Sequence, residues 1–358
     1  MSVYYDWEKT LSYDADITMV IGARGYGKTY GLRRQFLRDY IGKGFRFVEV
    51  VRFKNELSGV SGGYFDRLLR TDEFADYLCR YDGHRAYIAK KPDGYDEADK
   101  KPRLSWDTIG YFIAMTDAQR AKKQTFDCVR RIVLDEAVLE RSDRYHNYLP
   151  NEWIVLANIV DTVSRERAEQ MGVGRPRLYL LGNAVDFGNP YFAFANVPSD
   201  IRFGYRWFRN KTFLLHYVDS GDYGARKLES TVAGRMMQGT AEGDVAAKNE
   251  FVGMSTDFVQ KKTKGARFNF GVRYNGVIYG IWSDMKEGLY FVTKGAPNNA
   301  QPIYYLSNDQ AQVNYIAAKR TAKVFQVFAE AYYLSMIRYD SVDTKRNFLE
   351  VLQMFGVR

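Results

Sequence analysis

The chain has few of the residues that build disulfide frameworks or zinc clusters. Its 358 residues include two cysteines, Cys79 and Cys128, without CxxC spacing, and three histidines that lie far apart. This excludes a disulfide-stapled fold and a Cys/His metal centre. No apolar run is long enough to span a bilayer, and the first residues do not resemble a signal peptide. The sequence therefore predicts a cytoplasmic protein that does not cross a membrane.

Positive charge and aromatic residues are abundant instead. Lys and Arg number 52 against 43 Asp and Glu, which gives a formal net charge of +9, and 28 tyrosines contribute to an aromatic fraction of 16%. A field of this sign favours a polyanionic partner, either nucleic acid or an anionic membrane surface. With 46% hydrophobic residues, the chain can bury a sizeable core, and its length suits two domains of ordinary size.

Apolar runs alternate with helical periodicity through the first 220 residues. The predicted strands are residues 16–21, 45–52, 85–90, 103–115, 131–135 and 177–181. The predicted helices are residues 29–40, 63–80 and 152–163. Strands separated by helices are typical of an α/β fold with a mostly parallel central sheet. In the first helix, Leu32 and Phe36 form the apolar face, and Arg33 is predicted to point outward.

The amino-acid composition changes near residue 220. Residues 220–252 are rich in Gly, Ala, Asp and Lys, which indicates a small helical linker or lid. Beyond them, alternating runs flank the Asn275-Gly276 pair, the strongest local signal of a β-hairpin. Helices are predicted at residues 309–339 and 342–355. The predicted domains are therefore residues 1–219, 220–252 and 253–358, the last an α+β unit.

One phosphate-binding motif, GxxxxGK[ST], lies between a predicted strand and a predicted helix. It consists of Gly22, Ala23, Arg24, Gly25, Tyr26, Gly27, Lys28 and Thr29. The glycines let backbone N–H groups turn toward a phosphate, and the helix N-terminus adds positive potential. Lys28 is expected to reach the β- and γ-phosphates, Thr29 to ligate Mg²⁺, and Arg24 to touch the γ-phosphate or a nearby acid. The predicted ligands are ATP and Mg²⁺.

Two acids follow the apolar strand at residues 131–135. Asp135 at the strand tip is expected to hold the hydration shell of Mg²⁺, as a Walker B aspartate does. Glu136 is placed to polarise an attacking water. Because a kinase activates a substrate hydroxyl and does not need this second acid, the pair favours ATP hydrolysis over phosphoryl transfer to a small molecule.

Other polar residues have two possible roles each. Asn183, after the strand at residues 177–181, is either a sensor of the γ-phosphate or a loop cap. Arg165 and Arg167 follow an apolar helix and are either arginine fingers for a neighbouring subunit or solvated helix-end charges. Basic clusters that could neutralise phosphate groups, or simply be solvated, are Arg46, Arg52 and Lys54; Arg120, Lys122 and Lys123; and Lys261, Lys262, Lys264 and Arg267.

With these motifs in this order, the chain resembles the DNA-packaging ATPases of small podoviruses of the phi-29 type. The matching stretches, which span nearly the whole chain, are VIGARGYGKTY, VVRFKNEL, IVLDE, YLPNE, DTVSRER, LGNAVDFGNPYF and YNGVIYGIW. The resemblance implies an ATPase of the additional-strand, catalytic-glutamate (ASCE) division that translocates double-stranded DNA. It also implies a homomeric ring, expected to be a pentamer, at the portal vertex of a procapsid in the host cytoplasm. The implied partners are the portal protein and, in some members, a packaging RNA.

The resemblance also assigns roles to individual residues. Arg165 falls on the arginine-finger position, although residues 168–175 are longer than the family pattern and leave Arg167 as the alternative. Lys122 falls on a basic position that acts across the subunit interface, and Asn183 follows the sensor strand. Lys54 corresponds to a residue that faces the DNA channel, and Arg52 beside it is predicted to bind DNA too.

For residues 253–358, the resemblance implies an RNase H-like fold. An active nuclease needs several carboxylates around two metal ions. Asp284, Glu287 and Asp340 do not have a convincing spacing for this, which predicts a vestigial domain without nuclease activity. The alternatives are a terminase with an active nuclease and a ring assembly protein that binds ATP but scarcely hydrolyses it.

Overall fold

The computed structural model describes residues 4–95, 104–139, 148–149, 151–165, 174–183, 189–198, 201–219, 223, 232, 236, 258–306, 311–319, 322–355 and 357. The chain divides into two compact units. The first contains Met1–Val185 and Arg202–Glu250, and the second contains Asp186–Ile201 and Phe251–Arg358. Residues 186–201, which the predicted ATPase domain at residues 1–219 included, belong to the second of these units. The predicted linker at residues 220–252 lies almost entirely outside the described residues.

A sheet of nine described strands forms the centre of the first unit. Its strands are β1 Ile17–Ile21, β2 Arg46–Val51, β3 Tyr77–Tyr81, β4 Arg85–Lys90, β5 Asp107–Ala114, β6 Val129–Leu134, β7 Arg177–Gly182, β8 Gly204–Phe208 and β9 Phe213–Tyr217. They lie in the order β3-β4-β5-β2-β6-β7-β1-β9-β8. The six strands from β5 to β9 in this order are parallel, while β3, β4 and β8 pair antiparallel at the edges. The predicted mostly parallel α/β sheet is therefore confirmed.

The described helices of this unit connect or flank the strands. They are α1 Trp7–Ser12, α2 Lys28–Lys43, α3 Glu56–Ser61, α4 Asp66–Leu69, α5 Ala118–Ala121 and α6 Glu152–Ser164. Gly27 and Gly44, both in the left-handed region at φ 84° and 70°, bound α2, as glycine commonly does at helix ends. The helix predicted at residues 63–80 is confirmed only over α4, Asp66–Leu69. Its last part is wrong, because Tyr77–Tyr81 is strand β3, which pairs with β4.

Stacked aromatic rings fill the space between α2 and the sheet. The ring of Phe47 on β2 lies parallel to Phe36 on α2 at 4.7 Å and to Tyr64 at 5.2 Å. Phe47 is paired in register with Gly110 on β5, and a Cβ atom at Gly110 would lie 2.2 Å from the Phe47 ring. A glycine inside this strand therefore makes room for the stack.

The second unit contains a six-stranded sheet flanked by helices. Its described elements are α7 Pro190–Ala195, β10 Arg267–Tyr274, β11 Val277–Asp284, β12 Leu289–Lys294, β13 Ile303–Tyr305, β14 Ile316–Ala317, α8 Lys323–Tyr333, β15 Ile337–Tyr339 and α9 Val342–Met354. The strand order is β14-β13-β10-β11-β12-β15. An antiparallel meander, β10 to β12, continues through parallel strands beside its first member, as in the RNase H-like fold that the resemblance implied.

Local sequence accounts for part of this second sheet. The predicted turn at Asn275 and Gly276 is confirmed, with both residues at positive φ, 47° and 76°. The single helix predicted at residues 309–339 is wrong. Ser335 at φ 57° follows the end of α8, and the chain then enters β15, which pairs with β12. No helix among the described residues is long and apolar enough to cross a bilayer.

Replacing Gly110 by Ala should lower the free energy of unfolding by about 1–3 kcal/mol, because the added methyl group overpacks the Phe47 stack. Gly42 is the matched control, since it lies in α2 with no atom near its missing Cβ. Gly42→Ala should leave stability unchanged or raise it by up to about 1 kcal/mol, because Ala favours the helix. Chemical denaturation measures both changes, and equal effects would contradict the packing argument.

Candidate nucleotide-binding site

The loop between β1 and α2 wraps around an open space at the carboxyl edge of the parallel strands. Gly25 and Gly27 both have φ 84°, which lets the backbone reverse direction without a side-chain clash. The amide of Gly22 donates to the carbonyl of Gly182 at the end of β7, at 3.1 Å. The loop is therefore fixed to the neighbouring strand. Ligands of open α/β sheets bind at this edge.

The ammonium group of Lys28 is buried at the base of the loop. Its Nζ donates to the carbonyl oxygens of Gly22 at 2.8 Å and Ala23 at 3.0 Å, and to Oδ1 of Asn183 at 3.2 Å. A buried ammonium needs such oxygen partners, and phosphate oxygens would supply stronger ones. The structure therefore brings together Asn183 and Lys28, which are 155 residues apart in the chain.

A cavity of about 600 Å³ opens in front of Lys28. Its lining includes Arg24, Gly25, Tyr26, Gly27, Lys28, Thr29, Asp135, Glu136 and Asn183. Residues predicted from three separate motifs thus line the same cavity. The volume of this cavity suits a ligand of nucleotide size. The Thr29 hydroxyl and the Asp135 carboxylate are oxygen donors of the kind that Mg²⁺ prefers, and Mg²⁺ usually completes its shell with water and substrate phosphates. This donor set fits the predicted metal.

Glu136 occupies an unusual backbone position at the cavity. It follows β6 with φ 52° and its side chain is exposed, while its amide donates to Oδ1 of Asp135 at 3.0 Å. A glutamate rarely adopts this conformation unless its surroundings hold it there. The carboxylate is therefore presented to the cavity from a fixed backbone.

The side chain that holds this backbone is Arg52. Its Nη1 donates to the carbonyl of Glu136 at 2.8 Å and its Nη2 to the carbonyl of Ala137 at 2.7 Å. Its Nε lies 3.1 Å from both carboxylate oxygens of Glu152 at the start of α6, and both side chains are buried. The prediction that Arg52 binds DNA is therefore wrong. A guanidinium enclosed by a carboxylate and two carbonyls cannot reach a phosphate backbone, and Arg52 instead holds the backbone that follows β6.

A second charge pair, in which only the Glu49 side chain is buried, lies near Asp135, and the sequence motifs do not predict it. The Arg33 Nη2 is 3.5 Å from Oε1 of Glu49, and the Tyr64 hydroxyl donates to Oε2 of the same carboxyl group. Arg33 was predicted to point into solvent, but it lines the nucleotide cavity. An acidic residue inside the apolar strand β2 was the signal that could have revealed the pair.

Burial controls the protonation of Glu49. The loss of hydration raises the pKa of its carboxyl group to about 7, and the nearby Asp135 charge also raises it, whereas Arg33 lowers it. Burial likewise raises the pKa of the Tyr64 hydroxyl well above its usual value, so that Tyr64 stays a hydrogen-bond donor. The charge of Asp135 in the cavity lining is therefore one of the factors that set the protonation of Glu49.

Arg165 and Lys122 come together on the surface, away from the cavity lining. Nη1 of Arg165, just after α6, lies 3.5 Å from the Lys122 carbonyl, just after α5. Both side chains are exposed, and neither lines the nucleotide cavity. Lys54 is also exposed, three residues after β2. Arg167 lies outside the described residues.

In the second unit, Asp284 is engaged in a turn. Its carboxylate accepts hydrogen bonds from the Thr263 hydroxyl and from the amides of Lys286 at 3.0 Å and Glu287 at 3.3 Å. Over the described ranges, no group of three or more His, Cys, Asp and Glu side chains is arranged to hold a metal ion. The local bonds account for Asp284 as a cap at the end of β11.

Comparisons with known proteins agree with this geometry. A family model described as podovirus DNA encapsidation protein (Gp16) matches residues 1–354. The chain is 31% identical to the DNA packaging protein of Bacillus phage phi29 over 342 residues, 95% of this chain and 94% of the relative. For the DNA packaging protein of Bacillus phage B103 the identity is 29% over 333 residues, 92% and 94% of the two chains. A chain of the bacteriophage phi-29 viral genome packaging motor assembly covers 99% of this chain and 100% of its own length, at 31% identity and TM-score 0.64.

Replacing Arg52 by Ala should lower the free energy of unfolding by about 3–5 kcal/mol, because Glu152 would remain buried without its counter-charge. Lys54→Ala removes the same charge two residues later from an exposed site and should change stability by less than about 0.5 kcal/mol. Urea denaturation distinguishes the two. A similar small effect from both variants would show that Arg52 does not hold the fold.

The stability of Glu49→Gln relative to the parent chain should depend on pH. Folding raises the pKa of Glu49 from about 4.5 to about 7, so the stabilisation from its bound proton is complete below pH 4.5 and is lost as the pH rises through 7. Gln cannot ionise. The variant should therefore gain about 3 kcal/mol relative to the parent between pH 4 and pH 8. Glu73→Gln, at an exposed ion pair, is the control and should show no such gain.

Proposed function

The chain belongs to the podovirus DNA encapsidation protein (Gp16) family, and from this premise we propose that it is an ATP-hydrolysing motor that packages viral DNA into procapsids. The observation that carries the proposal is the convergence of Lys28, Thr29, Asp135, Glu136 and Asn183 on one cavity. A phosphate clamp, oxygen donors for Mg²⁺, a base for water and a polar sensor are the parts that ATP hydrolysis requires. The curated relatives are DNA packaging proteins.

Each residue has a defined task in the proposed reaction. Lys28 leaves its loop carbonyls for the β- and γ-phosphates, and the amides of the loop bind the same oxygens. Thr29 and Asp135 would hold Mg²⁺, which would neutralise phosphate charge. Glu136 accepts a proton from the attacking water. Asn183, which bonds to Lys28, loses or regains that bond as the phosphate arrives and leaves, and so responds to hydrolysis.

The proposed ring completes the site with a neighbouring copy. Arg165 and Lys122 are adjacent, exposed and absent from the lining of their own cavity. This supports a role in trans, in which one copy supplies cations to the γ-phosphate of the next. A homomeric ring, with five copies expected from the family resemblance, would place each such pair beside a nucleotide.

Further partners follow from the charge of the chain and from the family. The net charge of +9 and the exposed Lys54 support binding to the phosphates of double-stranded DNA, which needs no base-specific contact. The portal protein and, by resemblance, a packaging RNA are the other proposed partners, and the site of action is the portal vertex in the host cytoplasm. The engagement of Asp284 in a turn supports a second unit without nuclease activity.

Replacing Glu136 by Gln tests the proposed reaction. The variant should bind ATP as the parent does, since Lys28 and Thr29 are intact, but its hydrolysis rate should fall by at least about a hundredfold because the amide cannot accept the proton. ATP-dependent packaging of DNA into purified procapsids should stop. Single-turnover hydrolysis, nucleotide binding and DNA protection from nuclease are the measurements.

Glu8→Gln, at an exposed position in α1, is the matched control and should package normally. If Glu136→Gln packaged DNA at the parent rate, hydrolysis through this site would not drive the motor. If the parent chain assembled with ATP but had no measurable turnover, it would be an assembly protein and not a motor.

Mixing experiments test the role of Arg165 in trans. Rings assembled from the parent chain and Arg165→Ala should lose more ATPase activity than the mole fraction of the variant, because each variant copy disables a neighbour's site. Arg206→Ala, which removes an exposed arginine from the edge strand β8, should have no such effect in the same mixtures. A loss strictly proportional to the fraction of Arg165→Ala would contradict the trans role.

A further inference from the structure

Arg33 reaches the metal side of the nucleotide cavity from within α2. It lies four residues after Thr29, so both side chains lie on the same face of the helix. Helical side chains lean toward the N-terminus, which brings the Arg33 guanidinium back toward Thr29. Arg33 lines the nucleotide cavity together with Thr29 and Asp135. Its charge is therefore close to the place where Mg²⁺ would bind.

The Arg33 guanidinium is partly buried but has few close hydrogen-bond partners. Its contact with Glu49 is long, 3.5 Å, and its Nε is buried without a hydrogen-bond partner. The central carbon lies 3.8 Å from the centre of the Tyr64 ring, a contact that holds a cation without fixing its donors. The side chain is 25% exposed, against 3% for Glu49. The Arg33 guanidinium is thus held by fewer directional contacts, and is more exposed, than the carboxyl group of Glu49.

Two carboxylates compete for this one cation. Although burial lowers the pKa of Arg33, the neighbouring Tyr64, Glu49 and Asp135 raise it above its usual range. Asp135 and Glu49 therefore both act on the guanidinium. A second adjacent cavity of about 510 Å³ is lined by Arg33, Glu49 and Asp135, which leaves space for the guanidinium to move between them.

We propose that Glu49 is the counter-ion that allows Mg²⁺ to bind beside Asp135, because it draws the Arg33 guanidinium away from the metal position. Without nucleotide, Arg33 shares its charge between Asp135 and Glu49. When Mg²⁺ enters with the nucleotide, the two cations repel, and Arg33 moves fully onto Glu49. Arg33 and Glu49 are then positioning residues of the ATPase site, and the inference rests on the proposed function.

Binding of Mg²⁺ beside Asp135 requires that the positive charge of Arg33 be balanced by a nearby negative charge. Charges at the wall of a cavity interact with an effective dielectric constant of about 20, so that a unit charge about 10 Å from a divalent ion changes its affinity by about a hundredfold before salt screens the interaction. Removing the Glu49 charge should weaken Mg²⁺ binding, and removing the Arg33 charge should strengthen it. A purely structural role would make both substitutions harmful in the same direction.

The test is the Mg²⁺ concentration that gives half-maximal binding of a fluorescent ADP analogue (mant-ADP) to the full chain at pH 8. Glu49→Gln, which still accepts the Tyr64 hydrogen bond, should raise this concentration by at least about tenfold once salt screening is included. Arg33→Gln should lower it by a similar factor. The double variant should return close to the parent value, and Arg33→Lys should behave as the parent because it keeps the charge.

Arg34→Gln and Glu73→Gln are the matched controls. Arg34 is the next residue of the same helix and forms an exposed pair with Glu73, so water screens its charge. Neither control should change the Mg²⁺ requirement. Shifts of Arg33→Gln and Glu49→Gln in the same direction, or no shift, would overturn the inference. If Glu49→Gln does not fold, Arg33→Gln compared with Arg33→Lys decides the same question. Failure of the parent chain to bind mant-ADP with Mg²⁺ would instead refute the proposed nucleotide site.

Discussion

The buried guanidinium of Arg52 is the contact on which the carboxyl edge of the parallel strands depends. It joins the end of β2, the backbone that follows β6 and the first turn of α6 through one carboxylate and two carbonyls. Glu136 sits in a left-handed conformation that a glutamate does not adopt without support. The support comes from a charge that is removed from water and fully paired, and such an arrangement tolerates no loss of one partner.

Three cations near the cavity have different roles because their partners differ. Arg52 is enclosed by a carboxylate and carbonyls and has no freedom to meet a ligand. Lys28 is buried against neutral oxygens, and a phosphate would be a better partner than any of these. Arg33 faces one buried carboxylate at a long distance and can respond to charge in the cavity. Position in the sequence does not distinguish these roles, whereas the acceptors around each side chain do.

Much of the fold and the core of the site could be predicted from the sequence. Local sequence is enough to recognise three features of the site. Glycine spacing identifies the phosphate-binding motif at residues 22–29, and short apolar runs identify the strand before Asp135 and the strand before Asn183. Residues whose role depends on distant partners could not be assigned. Arg52 was taken for a DNA contact because a surface arginine and a buried one have the same local context. The segment at residues 63–80 was taken for a helix because the pairing that makes β3 a strand comes from β4.

The sequence alone therefore predicted the chemistry, an ATP-binding loop with an aspartate for the metal ion and a glutamate for catalysis. These features are local, because a phosphate cradle is built from consecutive backbone amides and its lysine lies on the same turn. The tertiary structure decided where each arginine lies. Arg52 holds the backbone of Glu136, Arg33 lines the cavity with Asp135, and Arg165 is exposed beside Lys122. Those outcomes depend on burial and on the oxygen atoms that surround each charge, which only the packing of distant segments brings together.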